Sequence, residues 1–150
     1  MARELFRRAG PASAAALVLA GMLPMAAAGE SQQPVVHQLR IYEIFDDNKA
    51  AFHDRFRNDA MRIMARYDFQ IVAMWETQLN GRTEFVYLLQ WPDRATLTDR
   101  WARFMADQEW ADIKKRSGAR HGKLVGDIED RVLTTTDSSP SREFQRPIRP

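Results

Sequence analysis

From Val35 to Phe45 apolar and polar residues alternate imperfectly, with Leu39, Ile41 and Phe45 on one side and Gln38, Arg40 and Tyr42 on the other. A period of two carried by β-branched and aromatic residues predicts a strand with one drier face. Asp46, Asp47 and Asn48 follow and suit a turn or a helix N-cap. The period then lengthens. Phe52, Phe56, Ile63 and Tyr67 recur at helical spacing with Ala60 and Met64 beside them, while Arg55, Arg57, Asp59, Arg62 and Arg66 decorate the rest. This predicts an amphipathic helix over Lys49–Tyr67, packed on a sheet. Phe69–Thr77 reads as a second strand, and Asn80-Gly81, two residues that tolerate positive φ, as a hairpin turn. In Glu84–Trp91 the nearly unbroken apolar run predicts a third strand in a central position, covered on both faces. Pro92-Asp93 stops it and opens a second helix with Leu97, Trp101, Phe104 and Met105 as its apolar stripe. Asp107 can cap a further helical segment, because its carboxylate can accept the exposed N–H groups that follow; Trp110 and Ile113 would then face the core. Ser117-Gly118 is expected to end the helix, with Gly122 in the loop and Lys123–Thr135 as the last strand.

The elements sum to βαββαβ, two βαβ halves between Val35 and Thr135. That order describes an α+β ferredoxin-like sandwich: an antiparallel sheet with helices on one face. The other face needs cover, since an open apolar sheet face in a small domain is an interaction site. A homodimer with two sheets back to back is the expected partner arrangement.

The flanks differ from this core. Met1–Arg8 is short and basic, Ala9–Met25 is rich in Ala, Leu and Val, and Ala26-Ala27-Ala28 fits a small-x-small cleavage rule. Residues 1–28 therefore read as a secretory signal peptide, with an uncleaved anchor or a mitochondrial presequence as alternatives. Gly10, Pro11, Gly21 and Pro24 interrupt the apolar stretch and argue against a retained spanning helix. The expected address is periplasmic or secreted. Residues 29–34 read as a linker, 35–136 as the folded domain, and 137–150, rich in Ser, Pro and Arg without apolar periodicity, as a disordered tail.

Charge changes the picture once the leader is set aside. The 150-residue chain has 22 basic and 20 acidic residues, and the first 28 hold Arg3, Arg7 and Arg8 against Glu4, leaving 19 of each sign. A neutral domain lacks the one-sided basic footprint of a nucleic-acid binder. The absence of cysteine excludes disulfides, thiolate metal sites and cysteine nucleophiles.

Three segments resemble the NIPSNAP family of the dimeric α/β-barrel superfamily. Leu39-Arg40-Ile41-Tyr42 is similar to the family's Leu-Arg-x-Tyr opening. Phe104-Met105-Ala106-Asp107-Gln108-Glu109-Trp110 is similar to its Asp-Pro-Glu-Trp segment, and Thr135-Thr136-Asp137-Ser138-Ser139-Pro140 to its Ser-Pro ending. The resemblance covers residues 36–140. It departs at Gln108, where the family often has Pro, and at Phe45-Asp46-Asp47-Asn48, where a Lys-Pro-Gly-like turn is common. The resemblance implies the fold and a dimer but no particular activity. The wider superfamily includes cofactor-free monooxygenases, haem-degrading enzymes and isomerases, and fold analogy cannot choose among them.

Arg40 and Tyr42 share one strand face and fall inside the family motif. Arginine could clamp a carboxylate or enolate, and tyrosine could donate to developing oxyanion charge; alternatively Arg40 pairs with an acidic neighbour such as Glu76, within the chain or across the dimer, while Tyr42 packs. Trp75, Tyr87, Trp91, Trp101 and Trp110 could line an aromatic pocket or simply belong to the core, as Met61, Met64, Met74 and Met105 are expected to. Of the three histidines, His53 is expected on the exposed side of the first helix, His37 at a solvated strand end or pointing into a pocket, and His121 in a mobile loop where it could serve as a proton shuttle or haem ligand. No pair has metal-ligand spacing, and Asp127, Glu129 and Asp130 read as an exposed strand edge. Glycine-rich phosphate loops, nucleophile elbows and paired-carboxylate motifs are absent, and no cofactor is expected. Three functional classes remain. One is an exported dimeric domain binding a small apolar or aromatic molecule between sheet and helices, with Arg40, Tyr42, Trp75, Tyr87 and Trp110 around it. Another is a cofactor-independent monooxygenase or isomerase using Arg40, Tyr42 and His121. The third is an interaction protein with a filled interior and no ligand.

Overall fold

The computed structural model describes residues 35–144. The expected signal peptide, the linker and the last six residues of the expected tail lie outside them. Four strands, β1 (Val36–Ile44), β2 (Gln70–Leu79), β3 (Arg82–Trp91) and β4 (Val125–Leu133), form one sheet in the order β2-β3-β1-β4 with every neighbouring pair antiparallel. This is the ferredoxin-like order expected from the βαββαβ pattern. A 3-10 turn (Asp46–Asn48), α1 (Lys49–Arg55), a π-helical turn (Phe56–Ala60) and α2 (Met61–Arg66) make up the first helical stretch. The second is broken at Asp107 into α3 (Arg94–Ala106) and α4 (Gln108–His121).

The core lies between the helices and one face of the sheet. On β3 the burial alternates: Thr83, Phe85, Tyr87, Leu89 and Trp91 are buried, and the residues between them are not. Phe52 and Phe56 stack edge-on against Phe85 from above, and Phe69 against Trp91 and Trp101, with ring centroids 4.7–5.1 Å apart. Edge-to-face contacts of this kind add to area burial by placing ring edges on ring faces.

β3 is central as expected, but helices cover only one of its faces. Its other face, with Val86 and Leu88, continues through Leu39 and Ile41 of β1 and Trp75 of β2 as a largely open apolar surface. Strand β1 turns Gln38, Arg40, Tyr42 and Ile44, the more polar of its two sides in sequence, toward the helices. Met64 is buried, whereas Met74 and Met105 are exposed at the edges rather than packed.

Local sequence sets the element ends. Asn80 (φ 52°) and Gly81 (φ 75°) make the β2–β3 turn as expected. Asp93 caps α3, its carboxylate accepting from Thr96 N at 2.6 Å. The last helix does not end at Ser117-Gly118. It runs on to His121 and stops at Gly122, whose φ of 73° closes the helix. His121 is therefore the last helical residue and not part of a mobile loop. As far as Phe144, the segment expected to be a disordered tail lies against the open sheet face: Gln90 accepts Phe144 N–H at 2.6 Å, and the Phe144 ring meets His37 edge-on at 5.2 Å.

Gly126 sits opposite an irregularity in the β1–β4 ladder between Tyr42 and Ile44. The Glu43 carboxylate lies over it, accepting Asp127 N–H at 3.1 Å and pairing with Arg82 at 3.0 Å, so a Cβ at Gly126 would overlap that carboxylate. Gly126→Ala should displace Glu43 and cost about 1 kcal/mol in a denaturant titration. An unchanged midpoint would mean that the Glu43 contacts contribute nothing to holding β4.

Candidate functional site

Between the sheet and the helices lies a connected set of polar and aromatic side chains, each positioned by strand alternation. Gln38, fully buried, accepts from both Trp91 Nε1 (3.1 Å) and Trp101 Nε1 (2.8 Å) through its Oε1, and donates from Nε2 to Asp130 Oδ1 (2.8 Å). Asp130 faces Arg40 across the β1–β4 ladder and takes Arg40 Nη1 at 2.6 Å on its other oxygen. Arg40 Nη2 reaches Tyr42 Oη at 3.2 Å, and Tyr42 Oη meets Tyr87 Oη at 2.8 Å. The guanidinium lies over the Trp101 ring, 4.5 Å from its centroid.

The electrostatics follow from burial and neighbours. Desolvation works against the Arg40 charge, yet the Tyr42 and Tyr87 oxygens and the Asp130 carboxylate hold it more firmly protonated than a free arginine. Burial pushes the Tyr87 phenol well above its usual range; Tyr42 adds to the effect and Arg40 partly offsets it. Tyr87 is thus a neutral donor near neutral pH. Only 13% of the Arg40 side chain is exposed, and its Nε is buried without a hydrogen-bond partner among the described residues. A buried guanidinium N–H without an acceptor is costly and uncommon. The helices leave β4 uncovered on this side, where Ile128 is 50% exposed, so the cluster has a way out to solvent beside the edge strand.

The structure brings together Arg40, Tyr42 and Tyr87, with Trp91 and Trp101 joined to them through Gln38. It does not bring Trp75 or His121 to them. Trp75 pairs with Val86 and stands on the opposite, open face of the sheet. His121 lines a surface groove whose walls do not include Arg40 or Tyr42. Trp110 is buried against Phe104 in the helical layer. Within the chain the partner of Arg40 is Asp130, not Glu76. Glu76 pairs with Lys49 and His53 from α1, and those two hydrogen bonds hold its carboxyl below the usual range. His53 is consequently half-buried rather than free on the surface, and His37 is 5% exposed under Thr135 and Phe144 rather than at a solvated strand end. Asp130 is the one residue of the acidic strand edge that joins the cluster.

Sequence reasoning missed two residues. Gln38 gave no signal beyond sharing the Arg40–Tyr42 face. Arg55, one of several arginines on the first helix, is half-buried, donates to Ser117 Oγ at 2.9 Å, and lies 5.7 Å from the Trp110 ring centroid. It lines the same groove as His121, an open cleft of about 1260 Å³ between α1 and α4. Among the described residues no group of three or more His, Asp or Glu side chains is placed to hold a metal ion, and no helix is long and apolar enough to cross a membrane.

A four-stranded β2-β3-β1-β4 sheet with helices on one side and an Arg–Tyr–Tyr cluster beneath them defines a ferredoxin-like α+β domain. The NIPSNAP family model matches residues 37–140, most of the chain, and the protein belongs to that family. The fold is similar to solved structures of an uncharacterized NIPSNAP-like domain protein from Burkholderia xenovorans and a NIPSNAP family protein from Agrobacterium tumefaciens. The first has a TM-score of 0.61 at 17% identity and covers 73% of this chain and 92% of its own; the second has 0.61 at 20%, covering 72% and 99%. A second Agrobacterium tumefaciens family member, of unknown function, gives 0.60 at 17% identity, covering 72% and 94%. A more distant match, the cofactor-independent oxygenase SnoaB from Streptomyces nogalater, has a TM-score of 0.46 at 16% identity, covering 72% and 99%, and carries no weight for this chain. No curated protein matches the chain significantly.

Proposed function

We propose that this protein binds a small organic molecule with an aromatic or apolar body and an acidic oxygen, held on the helix-side face of the sheet. Arg40 and Tyr42 are its polar anchors, and Trp101 and Ile128 offer apolar surface beside them. The observation that carries this is the buried Arg40 Nε, without an acceptor among the described residues, next to two phenols already aligned by the same guanidinium. A carboxylate, phenolate or enolate would satisfy that N–H with a charge-assisted bond. In the same reading the chain is exported after loss of residues 1–28. It pairs with a second copy through the open face carrying Trp75, Val86, Leu88, Leu39 and Ile41, which is apolar enough to need cover.

An enzymatic role, as an oxygenase or isomerase without cofactor, has one observation in its favour. The Tyr42–Tyr87 pair beside a cation can donate to an oxyanion as charge develops on it. Proton transfer would then fall to the phenols, because His121 lies on a separate groove.

Native mass spectrometry of the chain purified from its source compartment tests the binding reading. The expected result is a co-purified small molecule whose occupancy falls at least tenfold in Arg40→Ala while the fold is kept. Undiminished occupancy in that variant would sink the anchor assignment.

A further inference from the structure

The groove between α1 and α4 has sorted charges. Arg116 and Arg120, one turn apart on α4, stand on one wall with His121, and Asp47 and Asp54 on the other. Arg55 lines the groove together with the apolar Ala51 and Ile113. No ion pair closes the gap among the described residues, although Asp59, one turn beyond Arg55, favours its charge through space. Among the described residues, Arg55, Arg116 and Arg120 have no carboxylate oxygen within 4 Å, and Asp59, the third acid of the groove, lies instead 3.7 Å from Arg62. Arg55 is the telling one. It is half-buried, and among the described residues its only hydrogen-bond partner is the neutral Ser117 hydroxyl. A partly desolvated guanidinium is normally paired with an anion, because burial without a counter-charge is expensive. The backbone departs from a regular helix at the same place, since the π-helical turn Phe56–Ala60 begins immediately after Arg55; such turns are frequent at functional sites.

We propose that this groove is a second ligand site, separate from the Arg40 cluster, for a small dipolar organic acid. The ligand's carboxylate meets Arg55, flanked by Arg116 and Arg120. An aliphatic middle lies over Ala51 and Ile113, and a cationic or hydrogen-bond-donating end meets Asp54 and Asp47. The opposed walls define the class. A phosphate or polyanion would gain from the arginines but suffer repulsion from the two aspartates across the groove. A purely cationic ligand would leave Arg55 unpaired. An ω-amino acid or a short peptide has the required separation of charge.

The test is an NMR titration of the full chain with 6-aminohexanoate, hexanoate and inorganic phosphate. The expected result is saturable shifts confined to residues 47–59 and 113–121, strongest for 6-aminohexanoate. Arg55→Gln should weaken this binding about tenfold with thermal stability retained, Arg55→Lys should restore part of it, and Asp54→Asn should bring 6-aminohexanoate down to hexanoate. Arg40→Ala should leave it unchanged, which separates this site from the first. Absence of saturable shifts, equal affinity for phosphate, or indifference to Arg55→Gln would each overturn the proposal.

Discussion

Gln38→Met should destabilise the fold by about 3 kcal/mol, lowering the melting temperature on the order of 10 °C. The volume is nearly conserved, so packing is not the cause. Gln38 Oε1 is the acceptor for two indole N–H groups, and Trp91 is only 1% exposed. With methionine in place, Trp91 Nε1 has no route to water, and an orphaned buried donor costs about 1–3 kcal/mol. Trp101, less deeply buried, recovers part of its loss from solvent. Asp130 also loses its Gln38 donor and then holds Arg40 alone. Differential scanning calorimetry measures the effect. A melting temperature within 2–3 °C of the parent, roughly the shift for 1 kcal/mol or less, would mean that the indoles have other acceptors and that the network is not what ties β1 to α3.

Asp107→Ala should cost about 2 kcal/mol, and the loss should depend on pH. Asp107 stands at the break between α3 and α4 with its side chain only 8% exposed. It accepts Trp110 N–H at 2.9 Å as the N-cap of α4 and Tyr67 Oη at 2.8 Å from the end of the first helical stretch. Removing a capping carboxylate costs about 1–2 kcal/mol by itself, and here it also unties two helical segments. The Trp110 N–H, then the Tyr67 hydroxyl, hold the Asp107 carboxyl below the usual aspartate range in the fold. A group depressed in the folded state stabilises most above its unfolded value, near 4, and that contribution disappears as pH falls through the lower folded value. The parent should therefore lose stability on acidification in that window, whereas Asp107→Ala should start lower and lose less. Asp107→Asn should keep most of the cap at neutral pH, because asparagine caps well without titrating. Urea unfolding at pH 7 and pH 3 checks this. Equal acid sensitivity in parent and alanine variant would place the linkage on other carboxylates.

The elements were legible in the sequence because their patterns differ: an imperfect period of two in β1, a nearly unbroken apolar run in β3, and a helical period from Phe52 to Ile63. The Asn80-Gly81 turn and the Asp107 cap were legible because single residues there have specific backbone chemistry. Helix α4 outran its expected end because a glycine inside a helix costs only about 1 kcal/mol, so Gly118 need not stop it; Gly122 does, through its positive φ. The site was half legible. Period two puts Arg40 and Tyr42 on one face, and register adds Tyr87 opposite Arg40. Aromatic content could not say which face Trp75 occupies, since one residue of register separates the core from the open side. Gln38 and Arg55 were hidden because their importance lies in their surroundings: two indoles that converge on one amide, and a groove in which, among the described residues, no carboxylate touches the guanidinium.

Gln90 treats Phe144 as a neighbouring strand would, its side-chain amide accepting the backbone N–H and donating to the carbonyl while Gln70 donates to the same carbonyl. The family match stops at residue 140. An expression clone trimmed to that boundary would omit Phe144 from the cover over His37, Leu88 and Leu133, and would hand a purification a stickier surface. Contacts with the sheet among the described residues thus reach Phe144, four residues past the end of the family match.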